Sequence, residues 1–197
     1  MPSHYSRRLP HYTFAGHPIF LTWSLHGSLP KNRAFPPATT SGRAFHAFDT
    51  LLATAASGPF DLARPELADM VESALHYHEK ELRRFELHRY VIMPNHVHML
   101  ITPNEPVCKV MQSLKRFTAR QANMVLCREG KPFWQDESFD RLVRDRREFE
   151  RISRYIDYNP VQAGLVGCPE EYPWCSAASE SKPIDNRLQV TNLPHGA

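Results

Sequence analysis

The chain has 197 residues, 42% of them hydrophobic, and a formal net charge of +3. This suits one compact domain with its own core plus irregular extensions. No apolar run reaches the roughly 18 residues a membrane-spanning helix needs, and the opening MPSHYSRRLPHYTF lacks an apolar signal core, so it reads as the start of a mature, non-membrane protein.

Cys108, Cys127, Cys168 and Cys175 form no C-x-x-C pair, which points to reduced thiols of a cytosolic protein rather than a zinc site. The modest net charge conceals a local excess. Residues 113–154 carry eleven Lys or Arg against seven Asp or Glu, on two predicted helices and the strand between them. A phosphate-binding surface and a solvated, ion-paired helix face account for that excess equally well.

Residues 19–25 (IFLTWSL) are aromatic and β-branched and predict a strand. Residues 26–64 are rich in Pro, Gly and small side chains and read as irregular or inserted, with one short helix predicted over 42–55 from the spacing of Phe45, Phe48, Leu51 and Leu52. Pro65 opens a stronger helix whose apolar stripe is Leu67, Met70, Val71 and Leu75. A strand follows over RFELHRYVIMP, a turn at Pro94-Asn95, and a second strand over HVHMLITP, together a hairpin.

Residues 106–127 predict a helix with Val110, Leu114, Phe117 and Met124 on one face, ended by Gly130 and Pro132. Residues 139–144 (FDRLVR) predict a short strand, and 146–158 a last helix lined inward by Phe149, Ile152 and Ile156. Pro160 disfavours helix at Asn159, so an end or distortion is expected there. Residues 1–176 form the expected domain, and 177–197 a polar, flexible tail. The order strand, helix, strand, strand, helix, strand predicts an α+β fold: a ferredoxin-like antiparallel sheet with helices on one face and an added C-terminal helix.

Chemistry concentrates at His96-Val97-His98. On a strand these two imidazoles share a face, about 6.6–6.8 Å apart along the chain, and can converge on one cation. His76-Tyr77-His78 is a control: in a helix, residues two apart point about 200° apart and cannot share a metal. Two histidines need further ligands. Tyr155 and Asn159, one turn apart, border the inner stripe of the last helix, whereas Tyr158 points nearly opposite. Lys115, Arg116 and Arg120 follow the histidine strand and are placed to contact phosphates. Trp134 is expected to pack on the sheet rather than stack on a base, and Trp174 to clamp the C-terminal segment.

Four blocks in one order, VIMPNHVHMLITP, SLKRFTARQAN, PFWQDESFDRLVRD and RISRYIDYNPVQAGLV, resemble the HUH single-tyrosine transposases, and within them the REP-associated tyrosine transposases. The resemblance covers residues 19–176, except that 26–64 do not align. It implies that His96 and His98 hold Mg²⁺ or Mn²⁺, that Tyr155 is the nucleophile, and that Asn159 completes the metal site. It also implies a bacterial, cytoplasmic and nucleoid-associated enzyme that cleaves and rejoins single-stranded DNA near hairpins through a 5′-phosphotyrosine, acting as monomer or homodimer. The sequence names no general base. Two other readings stay open: a domesticated hairpin-binding protein without catalysis, and an unrelated metal hydrolase on the same scaffold.

Overall fold

The structure, a computed structural model, describes residues 16–28, 52, 58–136 and 138–181. Four strands form one sheet: β1 (Ile19–Ser24), β2 (Phe85–Ile92), β3 (His96–Pro103) and β4 (Phe139–Leu142). The helices are α1 (Pro65–Lys80), α2 (Val107–Val125), α3 (Arg146–Gln162) and the short α4 (Ser176–Ser181). The sheet order is β2-β3-β1-β4 and every neighbouring pair is antiparallel. That is the expected ferredoxin-like arrangement, with β3 between the strands that α1 connects and β1 between those that α2 connects.

The period-2 alternation of strand side chains sorts the core into two layers. Ile19, Leu21 and Trp23 of β1 join Tyr90, Ile92, Val97, Met99 and Ile101 under α1 and α2, which supply Leu67, Val71, Leu75, Val110 and Leu114. Phe20, Val91, Leu100 and Phe139 face the other way, against Ile152 and Ile156 of α3 and against Tyr172 and Cys175. Hence β1 is buried at all six positions, as a strand covered on both faces must be. The helices are therefore not confined to one face: the added helix α3 covers the side opposite α1 and α2. A bulge between Leu87 and Arg89 shifts the alternation of β2 by one, so that Phe85, Leu87, Tyr90 and Ile92 all reach the α1/α2 layer.

Several boundaries differ from expectation. β4 stops at Leu142, two residues short of the predicted strand. α3 does not stop before Pro160 but runs through it to Gln162. Proline removes one intrahelical donor there, yet Asn159 and Pro160 are buried, and Ala163 N–H still reaches the Asn159 carbonyl at 3.0 Å. The helix ends one turn later at Gly164, whose φ of +70° lies in the left-handed region.

The tail expected from residue 177 begins instead as part of α4, and 182–197 lie outside the described residues. The helix predicted over 42–55 also lies outside them, apart from Leu52, which is helical and buried. No helix among the described residues is long and apolar enough to cross a membrane.

Candidate active site

Antiparallel pairing sets Thr22 opposite His98 and Ser24 opposite His96, all on the sheet face that α3 covers. The imidazoles of His96 and His98 meet with their Nε2 atoms 3.0 Å apart. Their outer nitrogens are held by neighbours. Asn95 donates its amide N–H to the Leu52 carbonyl at 3.1 Å, which leaves its Oδ1 to accept from His96 Nδ1 at 2.6 Å. Thr22 Oγ1 lies 2.7 Å from His98 Nδ1. With the protons on both Nδ1 atoms, both Nε2 lone pairs face one point.

Such a pair fits a cation. A 3.0 Å separation equals the edge of an octahedron with metal–ligand distances of ~2.1 Å. Second-neighbour hydrogen bonds to Nδ1 are also what metal-ligating histidines usually carry. Ser24 Oγ, fully buried and across the strand from His96, has no hydrogen-bond partner among the described residues, so polar capacity remains for a hydrated ion. Among the described residues no group of three or more His, Cys, Asp or Glu side chains converges.

α3 brings its tyrosine to this pair. The Tyr155 ring lies edge-on to His98 at a centroid distance of 5.5 Å and edge-on to Phe20 at 6.2 Å, while Phe20 stacks on His98 at 5.6 Å. Asn159, one turn on and 7% exposed, donates its amide to the Tyr155 hydroxyl at 3.0 Å. Tyr155 is only half-buried and also lines an open surface pocket with Arg151, Arg154, Tyr158 and Gln162. It thus reaches both the buried imidazoles and solvent. Tyr158 is exposed, as the helical wheel required.

The basic residues predicted to grip DNA are placed elsewhere. Lys115, Arg116 and Arg120 ride on α2, across the sheet from the histidine pair. Lys115 Nζ donates to the carbonyls of Gln135 and Asp136 and so pins the segment before β4, while Arg116 and Arg120 are exposed. The control pair behaves as a helix demands: His78 bonds the Ala74 carbonyl and Ser113, and His76 faces Glu79 and Tyr90. Burial lowers the His78 pKa, opposed by the Ala74 carbonyl. Trp134 packs against Trp23 and donates to Thr118, and Trp174 donates to Asp69 of α1.

Sequence reasoning missed Thr22, Ser24, Phe20 and Asn95. Asn95 was legible as a polar neighbour of His96 in a turn. The other three are cross-strand partners, invisible until the β1–β3 register is known.

The family model of IS200-like transposases matches residues 62–159, a stretch that begins just before α1 and ends at Asn159 of α3. The chain belongs to this transposase family. This IS200-like chain has no match among curated proteins. Among solved structures it is similar to a REP-associated tyrosine transposase bound to a REP hairpin, with 21% identity, 98% of each chain covered and a TM-score of 0.56; that likeness shows the shared fold. A candidate transposase from Deinococcus radiodurans is also similar, with 17% identity, coverage of 77% of this chain and 94% of that one, and a TM-score of 0.42.

Proposed function

We propose that this IS200-like transposase belongs to the REP-associated branch and cleaves and rejoins single-stranded DNA beside a hairpin, with Tyr155 as the nucleophile and His96 and His98 holding Mg²⁺ or Mn²⁺. The observation that carries the reading is the meeting, within one chain, of the Tyr155 ring and an imidazole pair whose Nε2 atoms are 3.0 Å apart. The hairpin-bound REP-associated structure, alike in fold, supports the choice of a DNA hairpin as substrate.

A divalent cation bound there would polarise a non-bridging oxygen of the scissile phosphate and offset charge in the transition state. Tyr155 Oη attacks phosphorus, forming the phosphotyrosine ester as the bond to the 3′-oxygen breaks and a 3′-hydroxyl leaves. The Asn159 amide, donating to that oxygen, fixes its direction. Because the ester conserves the phosphodiester bond energy, a second 3′-hydroxyl can reverse the step and rejoin strands. Asn159 Oδ1 stays assigned to the cation. Lys115, Arg116 and Arg120 are assigned to duplex or flanking phosphates on the far face.

The test is incubation of labelled hairpin oligonucleotides with the protein and Mn²⁺. The expected result is a denaturation-resistant protein–DNA complex, lost in Tyr155→Phe while hairpin binding persists. An adduct formed by the Tyr155→Phe protein would remove Tyr155 as nucleophile.

One observation favours a second reading. His96 and His98 are 1% and 0% exposed, so neither imidazole lies open to a phosphate in this conformation. A hairpin-binding protein without catalysis would bind the same oligonucleotides and form no adduct in Mn²⁺.

A further inference from the structure

Glu148 opens α3 as a buried carboxylate, 3% exposed, on which three arginines converge. Arg141 of β4 pairs with it closely; Arg144 bonds it through Nε at 3.1 Å and through its backbone N–H at 3.0 Å; Arg151 approaches at 3.4 Å. One anion thus faces three cations. Of the neighbouring carboxylates among the described residues, Asp145 caps the helix by accepting from Glu148 N–H and also attracts Arg144, and Glu150 pairs with Arg146. Three guanidinium groups against Glu148 and Asp145 still leave positive charge in excess, which a further anion relieves.

Its position gives that anion an identity. Arg141 of β4 stands directly opposite Phe20 of β1, the residue stacked on His98, and Arg151 lies one helical turn before Tyr155 and lines the same pocket. The Arg144 and Arg151 side chains are 71% and 69% exposed although Arg144 is tied to Glu148 through Nε and Arg151 through Nη2. A guanidinium has five N–H donors in a fixed fork, so binding Glu148 leaves others directed outward.

We propose that Arg144 and Arg151, positioned by Glu148, form a seat for a backbone phosphate of single-stranded DNA next to the bond that Tyr155 attacks. The inference rests on the function proposed above and deepens it. A carboxylate that pre-orients two arginines removes much of the side-chain entropy that a loose basic patch loses on binding. Lys115, Arg116 and Arg120, on the opposite face, cannot serve this phosphate.

The test measures binding of a labelled oligonucleotide, a hairpin with a single-stranded flank, by the full chain across a salt series. Each phosphate contact on a single strand contributes about 0.7 to the slope of log K against log salt. Arg144→Gln and Arg151→Gln are expected each to lower the slope by about that amount and to weaken binding several-fold, whereas Arg146→Gln, with the same charge change, leaves the slope unaltered.

Glu148→Gln supplies a sign test. Net charge alone predicts tighter binding, and a positioning role predicts binding several-fold weaker, with Arg144→Gln then adding little. Slopes for Arg144→Gln and Arg151→Gln that match wild type, in a protein that still binds the oligonucleotide, overturn the seat alone. A wild-type chain that binds no hairpin or single strand overturns the function and the seat together.

Discussion

Two imidazole nitrogens 3.0 Å apart are good neighbours only with a cation or a proton between them, and the oxygen beside each outer nitrogen sets which tautomer the ring holds. The residues that set those tautomers therefore govern ion affinity without touching the ion. Replacing Asn95 by Ala or Thr22 by Val is expected to weaken Mn²⁺ binding about 10- to 100-fold, as outer hydrogen-bond partners of metal ligands usually do. Mn²⁺ titration followed by electron paramagnetic resonance measures this, and affinities equal to wild type would show that the imidazoles orient themselves. His96→Ala and His98→Ala should abolish binding in the same assay.

Within elements, the start of α3 and the strap after it are the parts most exposed to perturbation. Burial pushes the Glu148 carboxyl up, but hydrogen bonds from the Arg144 side chain and backbone and the charge of Arg141 outweigh it, holding the pKa at about 2. A carboxyl with a folded pKa below its unfolded value of 4.5 stabilises the fold above pH 4.5 and loses that contribution as pH falls toward 2. The loss is expected to be on the order of 2 kcal/mol, seen as an acid-induced drop in Tm that Glu148→Gln lacks. An equal acid sensitivity in that variant would assign the effect elsewhere.

The strap from Tyr172 to Ser176 closes the β2 edge of the sheet. Tyr172 Oη donates to the Ile92 carbonyl at 2.8 Å, Ile92 N–H reaches the Trp174 carbonyl at 2.9 Å, and Ser176 Oγ bonds the Tyr90 backbone at 3.2 Å. Burial pushes the Tyr172 phenol up, so it stays protonated and donating. Tyr172→Phe leaves that carbonyl without its donor and should cost about 1–2 kcal/mol in denaturant unfolding, with Cm shifted and the m-value unchanged.

Across the molecule, the sheet is a wall: two helices and the first core layer stand on one side, and the imidazoles, Tyr155 and the Glu148 arginines stand on the other. Tyr155 and His98 come together from the same chain, so one copy contains the proposed reacting groups. Mixing Tyr155→Phe with His96→Ala protein is accordingly expected to restore no adduct on hairpin DNA. Recovery of adduct in the mixture would mean that the site is shared between two chains.

Local chemistry was enough to place the four strands, the three long helices, two histidines on one strand face and a tyrosine one turn before an asparagine. Each depends on spacing along the chain, and periods of 2 and 3.6 residues carry that information directly. The side of the sheet that α3 covers, the passage of that helix through Pro160, and the roles of Thr22, Ser24 and Phe20 depended on register and on burial between elements distant in sequence. The arginines illustrate the difference. As a run of charge, Lys115, Arg116 and Arg120 looked like those of Arg141 to Arg151, and only the fold puts the first set behind the sheet and the second around a buried carboxylate beside the tyrosine.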